Sequence, residues 1–139
     1  MNTNKLVSEV MTSNVMTADR RDSLRHVNSL MKEKHIRHLP VVDNGKLVGI
    51  VSNTDIMRLS FGDLYEGETG ADEAMFDMLT LDQVMVHRPV SVRHDEFVED
   101  VALKLASAEY HAFPVTDGDK VVGIITTTDV IKYLLTRGE

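Results

Sequence analysis

Apolar residues along this chain recur with two different spacings, and the change of spacing predicts where helices and strands lie. Residues 24–31 place apolar side chains three to four positions apart, which is typical of a helix with one buried face. The apolar runs 39–42 and 47–51 are short and rich in β-branched residues, which predicts strands. An Asn-Gly pair at 44–45 predicts a tight hairpin between them, because both residues tolerate a positive φ.

Both halves of the chain predict the same order of elements. In the first half these are a helix at Leu6–Val10, a strand at Val15–Thr17, a helix capped by Asp22 or Ser23, the two strands of the hairpin, and a helix opened by Thr54 and Asp55. In the second half they are a helix at Leu81–Met85, a strand at Val90–Val92, a helix capped by Asp95, strands at Phe113–Thr116 and Val121–Ile125, and a helix opened by Thr128 and Asp129. The strand–helix–strand step needs a right-handed crossover, so part of the sheet is expected to be parallel.

The two halves are copies of one unit. Each position matches the position 74 residues later, without a gap, from Val10/Val84 to Leu59/Tyr133. Of these 50 pairs 12 are identical, and nine of the 12 fall in PVVDNGKLVGIVSNTD (40–55) against PVTDGDKVVGIITTTD (114–129). Related units of roughly 60 residues usually pack on each other, because each alone is small for a core. A cleft between them is therefore the first place to expect a site.

The predicted fold is α+β, with two pseudo-symmetric β-α-β-β-α repeats, each preceded by a short helix and packed as one module. We expect the first repeat at 1–60 and the second at 79–139. The segment 61–78 between them is acidic and contains glycine, which favours an exposed connection with a helix at 73–78.

Composition narrows the possible functions. A net charge of −7 disfavours nucleic acid as the main partner but leaves room for a small anion. The chain has no cysteine, which excludes disulfides, thiolate metal sites and a cysteine nucleophile. We find no signal-peptide pattern and no apolar run near the ~18 residues that a membrane span needs. We therefore expect a soluble, cytoplasmic protein.

The polar residues at the end of each hairpin can carry chemistry. Asp55 and Asp129 follow a strand at the start of a helix, and a carboxylate there can accept two hydrogen bonds from the vicinal hydroxyls of a ribose. Hydroxyls able to bind sugar or phosphate stand one and three positions earlier, at Ser52, Thr54, Thr126 and Thr128. The same residue types are ordinary helix N-caps, each contributing ~1 kcal/mol. The two roles are compatible.

Three motifs, each present twice, identify a resemblance. They are V-M-T at 10–12 with V-M-V at 84–86, the P-V-x-D block, and G-h-h-[ST]-x-x-D at Gly49–Asp55 and Gly123–Asp129, where h is apolar. With them the chain resembles a tandem pair of CBS domains, the cystathionine-β-synthase-type regulatory repeat or Bateman module. The resemblance covers nearly everything outside 61–78.

The resemblance implies a set of site residues. The aspartates would hold ribose, the neighbouring Ser and Thr residues would contact the nucleotide, and basic groups before the proline would contact phosphate. In this sequence those basic groups are Arg37 and His38 in the first repeat and His111 alone in the second. It also implies that Asp22, Val27, Glu96 and Val101 line the same cleft. The basic residues of the first repeat could instead stabilise the end of a helix, because positive charge is favourable at the negative, C-terminal end of the helix dipole.

The resemblance also implies a function. We expect a stand-alone sensor that binds AMP, ADP or ATP, with Mg²⁺ if the ligand is a polyphosphate, or alternatively an S-adenosyl compound or NAD. Ligand binding would shift the orientation of the repeats, which an effector protein would detect. We also expect a homodimer joined through helices of the repeats. The alternative is an interaction module that binds no ligand.

Catalysis and metal binding find little support in the sequence. There is no nucleophile–base constellation, P-loop or G-x-G-x-x-G, so we expect no enzyme activity and no required cofactor. His35 and His38 alone are too few for a metal site. Gly49 and Gly123 are expected to permit close backbone approach within a strand.

Overall fold

The computed structural model describes residues 5–59, 76–107 and 111–136. The helices are α1 (Val7–Val10), α2 (Leu24–Lys34), α3 (Asn53–Leu59), α4 (Leu81–Val84), α5 (Val98–Ser107) and α6 (Thr127–Thr136). The strands are β1 (Thr12–Ser13), β2 (Ala18–Asp19), β3 (His38–Asp43), β4 (Lys46–Ser52), β5 (Val86–His87), β6 (Val92–Arg93), β7 (Ala112–Asp117) and β8 (Lys120–Thr126). Of the predicted connection, residues 76–78 are helical and 61–75 lie outside the described residues. Among the helices described here, none combines the length and apolar character needed to cross a membrane.

The chain forms two compact units, and the first is the middle unit, Met16–Arg88. Its strands follow the order β2-β3-β4-β5. The pair β2–β3 is parallel, and the pairs β3–β4 and β4–β5 are antiparallel. Leu24, Val27 and Met31 of α2 are buried against this sheet together with Ile56 of α3, as the helical spacing predicts.

The second is the terminal unit, which joins Met1–Val15 to Pro89–Glu139. It repeats the arrangement with β6–β7 parallel and with β7–β8 and β8–β1 antiparallel. Its core includes Val101 and Leu105 of α5 and Val130 of α6. The parallel step expected in each repeat is therefore present in both units.

Each short helix packs in the unit formed by the other repeat. Val7 of α1 is fully buried in the terminal core, and its N–H donates to the Glu96 carbonyl at 2.8 Å. Leu81 of α4, the residue 74 positions later, lies in the middle core. The predicted stretches 1–60 and 79–139 follow the sequence repeats, whereas the compact units exchange the leading segments. Local periodicity contains no information on that exchange.

The first strand of each repeat differs from the prediction. Val15–Thr17 forms no ladder, and the strand in this part of the chain is β2, which begins at Ala18, directly after the predicted strand. In the second repeat the strand begins at Val92 rather than Val90. The short strands β1 and β5 were not predicted. Each is followed by a residue with positive φ, Asn14 at 56° and Arg88 at 49°, which turns the chain before the next strand.

The two predicted caps have different outcomes. Ser23 is the N-cap of α2, because its hydroxyl accepts the N–H of His26 at 3.0 Å. Asp95 was predicted to cap α5, which is wrong: α5 begins at Val98, and the Asp95 carboxylate accepts from the Arg93 guanidinium at 3.0 Å. The residue before α5 is Phe97, which pairs with Leu6 in an isolated bridge.

The glycine predictions are confirmed. Asn44 and Gly45 have φ values of 52° and 81°, which is the hairpin turn expected of Asn-Gly. A Cβ on Gly49 would clash with the Met85 sulfur, and a Cβ on Gly123 would lie 2.8 Å from the Thr12 carbonyl oxygen. These glycines therefore allow β5 and β1 to approach their neighbouring strands closely.

Candidate functional site

In the middle unit, Ser52 and Asp55 close a reciprocal pair of hydrogen bonds where β4 ends and α3 begins. The Asp55 N–H donates to the Ser52 hydroxyl at 3.1 Å, and the Ser52 N–H donates to the Asp55 carboxylate at 3.0 Å. This arrangement satisfies two N–H groups at the helix start. It also fixes the Asp55 carboxylate, whose side chain is 18% exposed and lies 3.5 Å from the Arg58 guanidinium.

The terminal unit has the same corner at Thr126 and Asp129. The Asp129 N–H donates to the Thr126 hydroxyl at 3.1 Å, and the Thr126 N–H donates to the Asp129 carboxylate at 3.0 Å. The Thr126 hydroxyl also donates to that carboxylate at 3.1 Å. Both predicted aspartates are therefore half-buried helix-start residues with a defined orientation.

The two corners differ in one further contact. The Thr12 hydroxyl donates to the Asp129 carboxylate, at 3.2 Å from Oδ1 and 3.4 Å from Oδ2. The residue 74 positions later is Val86, which has no hydroxyl, so Asp55 has no counterpart of this bond.

The basic residues predicted for phosphate lie next to these corners. The Arg37 carbonyl accepts the Asn53 N–H at 2.8 Å, and the His111 carbonyl accepts the Thr127 N–H at 2.9 Å. His38 is the cross-strand partner of Ser52 in the β3–β4 hairpin. Within the middle unit the structure thus brings Arg37 and His38 to the same end of the hairpin as Ser52, and His111 holds the matching place in the terminal unit.

A cavity of about 390 Å³ opens beside Arg37 in the middle unit. It is lined by Asn28, Met31, Lys32, His35, Ile36, Arg37, Asn53 and Ile56. Sequence reasoning noted His35 and Arg37 but did not identify Asn28, Lys32 or Asn53. Part of the signal was available, because 28 and 32 are four positions apart and share one face of α2, and His35 caps the C-terminal end of that helix. The positions of Lys32 and His35 carry Ala106 and Glu109 in the second repeat, so the excess of positive charge is specific to the first.

The remaining hydroxyl candidates, Thr54 and Thr128, are exposed and directly precede the aspartates. Val27 and Val101, expected to line a cleft, are 0% exposed and belong to the two cores. This burial leaves neither side chain with surface for a ligand.

Asp22 and Glu96 support the turns that precede α2 and α5. Their carboxylates accept the N–H of Asp19 at 2.9 Å and of Arg93 at 2.8 Å. Glu96 also accepts from the Lys104 ammonium at 2.8 Å. Burial raises the pKa of Glu96, but the hydrogen bonds and charges of Lys104 and Arg93 outweigh it and hold the pKa below its usual range. Both side chains therefore have structural partners.

A metal-binding cluster of three or more His, Asp or Glu side chains does not occur within residues 5–59, 76–107 and 111–136.

Comparison with known proteins identifies one family. The model of the CBS domain matches the chain twice, at residues 7–62 and 81–136. The matched ranges fall on the two halves that the sequence repeat defines and leave out residues 63–80, which are most of the acidic connection.

Solved structures share the fold over nearly the whole chain. The structure of CBSX2 in complex with AMP has a TM-score of 0.80 and 25% identity, covering 96% of this chain and 98% of that chain. CBSX2 from Arabidopsis thaliana has a TM-score of 0.82 and 27% identity, with 95% of each chain covered. The CBS domain pair of MJ0100 in complex with 5′-methylthioadenosine and S-adenosyl-L-methionine has a TM-score of 0.76 and 28% identity, covering 98% and 99%.

Curated relatives are longer than this chain. The uncharacterized protein MJ1225 of Methanocaldococcus jannaschii is 28% identical over 133 residues, which are 94% of this chain and 47% of that protein. The chain thus spans about half of this relative.

Proposed function

The chain belongs to the CBS domain family, and from this premise we propose that it is a regulatory module that binds an adenosine-containing ligand. The observation that carries the proposal is the half-buried carboxylate at each helix start, Asp55 and Asp129. The ligands named for CBSX2 and for MJ0100 are AMP, 5′-methylthioadenosine and S-adenosyl-L-methionine. These molecules share a ribose with vicinal 2′- and 3′-hydroxyls, which is the group that a carboxylate can bind through two hydrogen bonds.

Helix capping leaves room for ribose at Asp55. An ionised carboxylate offers about four acceptor positions. The Ser52 N–H uses one on Oδ2, and Arg58 makes only a long contact with Oδ1 at 3.5 Å. Each oxygen therefore keeps acceptor capacity for a ribose hydroxyl while the cap stays intact. This compatibility supports a binding role in addition to the structural one.

Charge favours a phosphorylated ligand in the middle unit. Arg37 and His38 stand beside the Ser52–Asp55 corner, and Lys32 adds positive charge to the adjoining cavity, which His35 also lines. A guanidinium binds phosphate through charge-assisted hydrogen bonds. AMP, ADP or ATP is therefore our first choice, with Mg²⁺ accompanying a polyphosphate. An S-adenosyl compound or NAD is the alternative ligand, and the terminal unit, with His111 alone, is better suited to an adenosyl compound without phosphate.

The competing function is an interaction module that binds no small molecule. The observation that favours it is the closed hydrogen bonding of the corners, because Ser52 and Asp55 satisfy each other as an N-cap without any ligand. In that case the motif only stabilises the fold, and each N-cap contributes ~1 kcal/mol to the stability.

Signal output would require protein partners. Exposed apolar residues lie on α5 and α6 of the terminal unit, where Leu103 is 69%, Ile131 51% and Leu135 77% exposed. We propose that these helices join two copies of the chain. In the cytoplasm, an effector protein would then detect the ligand-dependent change, and the module itself would catalyse no reaction.

Thermal unfolding with added ligand tests the proposal. A ligand present at about 100 times its dissociation constant stabilises the native state by ~2.7 kcal/mol. We expect AMP to raise the melting temperature of the wild-type chain and GMP at the same concentration to raise it less. If neither AMP, S-adenosyl-L-methionine nor 5′-methylthioadenosine moves the midpoint, the interaction module replaces the sensor.

A further inference from the structure

The contact between Thr12 and Asp129 distinguishes the two carboxylates that the proposed function assigns to ribose. Thr12 lies on β1, outside the motif that contains Asp129, and its hydroxyl reaches both carboxylate oxygens at 3.2 and 3.4 Å. Val86 stands at the equivalent place beside Asp55. Neither the resemblance nor the comparisons assign a role to residue 12.

We propose that Thr12 is an internal competitor of ribose, which lowers the affinity of Asp129 for an adenosine ligand relative to Asp55. The inference rests on the proposed function, because it concerns the same carboxylates. It makes residue 12, with residue 86, a determinant of which unit binds ligand first.

The count of acceptor positions supports the proposal. Oδ2 of Asp129 accepts both the N–H and the hydroxyl of Thr126, at 3.0 and 3.1 Å, and Oδ1 accepts the Thr12 hydroxyl. Three of about four positions are thus in use, and both positions of Oδ2 are taken. A ribose diol needs two free positions, and only one remains at Asp129, on Oδ1, while the Thr12 hydroxyl is in place. It must therefore displace a hydroxyl at Asp129, whereas Asp55 can accept it directly.

Backbone pairing holds Thr12 in place. Thr12 and Ser13 pair with Ile124 and Gly123 of β8, in an antiparallel ladder. Gly123 allows this approach, because a Cβ there would lie 2.8 Å from the Thr12 carbonyl oxygen. The backbone that carries the hydroxyl is thus held by the sheet rather than by Asp129 itself. It keeps the hydroxyl within reach of the carboxylate when a ligand leaves.

The equivalent ladder in the middle unit makes a reciprocal exchange possible. Val86 pairs with Ile50 in β4, just as Thr12 pairs with Ile124 in β8. Residues 12 and 86 therefore occupy the same register relative to their aspartates. Thr12→Val gives the terminal unit the side chain of the middle unit, and Val86→Thr makes the opposite change.

A different role for Thr12 predicts the opposite change in ligand affinity when its hydroxyl is removed. If the hydroxyl only orients Asp129 for the ligand, its removal weakens binding. If it competes with ribose, its removal tightens binding, and only for ligands that carry the diol. A comparison of AMP with 2′,3′-dideoxyadenosine monophosphate therefore separates the two roles, because the dideoxy compound has no hydroxyl to compete with Thr12.

Isothermal titration calorimetry on single-site forms of the full chain tests this. In an Asp55→Ala background, we expect Thr12→Val to tighten AMP binding about three- to tenfold, the ratio that one net hydrogen bond gives. We expect no such change for the dideoxy compound, and Thr12→Ser should return the weaker AMP binding. Ser13→Ala removes a neighbouring hydroxyl of β1 and serves as the control. In an Asp129→Ala background, Val86→Thr should weaken AMP binding by a similar factor.

Each outcome has one meaning. Weaker or unchanged AMP binding in the Thr12→Val form, with a wild-type chain that binds AMP, overturns competition and leaves the proposed function standing. Equal tightening by the dideoxy compound overturns it as well. If the wild-type chain and the Thr12→Val form bind none of AMP, S-adenosyl-L-methionine and 5′-methylthioadenosine, the proposed function and the competition are both wrong. If they bind an adenosyl compound and no AMP, the same Thr12→Val comparison is made with that compound, and weaker or unchanged binding overturns the competition alone.

Discussion

The backbone carbonyl of Arg37 accepts the N–H of Asn53 at 2.8 Å, so the residue predicted to bind phosphate is attached to the first residue of the helix that carries Asp55. Arg37 follows α2, whereas Asn53 begins α3, and one hydrogen bond joins the two ends within the middle unit. His111 and Thr127 make the same bond in the terminal unit at 2.9 Å. Both repeats thus contain the same backbone hydrogen bond, although the side chains at these positions differ.

Removal of Arg37 should reduce the affinity for phosphate and not for adenosine. We expect Arg37→Ala to weaken AMP binding about ten- to a hundredfold, the range for a hydrogen bond to a charged group. Binding of 5′-methylthioadenosine, which has no phosphate, should change by less than about twofold. Competition titrations with both ligands measure the difference.

Lys46→Ala is the matched control for this change. It removes the same charge from the middle unit at an exposed position of β4, away from the Ser52 corner. Equal loss of AMP binding in both variants would mean that net charge, rather than a contact of Arg37, governs the affinity.

Close packing at Gly123 should make its replacement costly. A Cβ there would lie 2.8 Å from the Thr12 carbonyl oxygen, which belongs to backbone and cannot rotate away. We expect Gly123→Ala to lower the free energy of unfolding by about 1–3 kcal/mol, as overpacking usually does. Urea denaturation gives this value.

Gly49→Ala is the companion variant. Each added Cβ would meet a flexible methionine side chain, Met85 at Gly49 and Met11 at Gly123, but the nearest backbone oxygen is 3.0 Å away at Gly49 and 2.8 Å away at Gly123. We expect a smaller loss of stability at Gly49. A Gly123→Ala chain within about 0.5 kcal/mol of wild type would contradict the close packing of β1 on β8.

The hairpins and main helices were predictable because their signals are local. The Asn44-Gly45 turn, the Ser23 cap and the apolar face of α2 each follow from residues adjacent in sequence, and the structure contains all three. The start of α5 was not predicted, because Phe97 pairs with Leu6 and this contact is distant along the chain. A cap rule that considers only neighbouring residues therefore selected Asp95.

The site was predictable only as far as the repeat reveals it. Asp55, Asp129 and their hydroxyl partners stand out because the motif occurs twice. Thr12 does not, because its contact with Asp129 joins residues 117 positions apart and is absent from the other copy. The exchange of α1 and α4 between the units was hidden for the same reason. Contacts that differ between the two copies of a repeat can be identified only from the folded structure.

Protonation of Glu96 should weaken the terminal unit at low pH. Its pKa in the fold lies below the ordinary 4.5, so its contribution to stability is complete above that pH and is lost as the pH falls through the lowered pKa. Glu96→Gln should therefore be less stable than wild type at pH 7, by no more than about 1 kcal/mol for a partly exposed pair. The difference should disappear at low pH.

Lys104→Gln in a double-mutant cycle identifies the partner. If Lys104 contributes through Glu96, the double variant should lose less than the sum of the single losses at pH 7. A stability difference between wild type and Glu96→Gln that stays constant down to about pH 3 would contradict the lowered pKa.

A charge on the exposed face of α6 should prevent self-association. Leu135 is 77% exposed, and Leu103 on α5 is 69% exposed. We expect Leu135→Asp to shift the chain from dimer to monomer, since burial of a carboxylate in an apolar interface is unfavourable. Light scattering after size-exclusion chromatography gives the mass. Val90→Asp, at an exposed apolar position outside the helices, should remain dimeric. Equal masses for wild type and Leu135→Asp would contradict the proposed interface.

The central claim is that Asp55 and Asp129 bind ribose in addition to capping their helices. Asn at these positions keeps one oxygen to accept the Ser52 and Thr126 N–H groups, but removes the charge that strengthens hydrogen bonds from a diol. Asp43→Asn with Asp117→Asn changes the equivalent pair at the hairpin turns, and it serves as the control.

Calorimetric titration with AMP of the wild-type chain, the Asp55→Asn/Asp129→Asn chain and this control tests the claim most directly. We predict that the first double variant keeps its fold and loses affinity by about a hundredfold or more, which corresponds to two hydrogen bonds to a charged group. The control should bind as the wild type does. Undiminished AMP binding by the Asp55→Asn/Asp129→Asn chain would contradict the account.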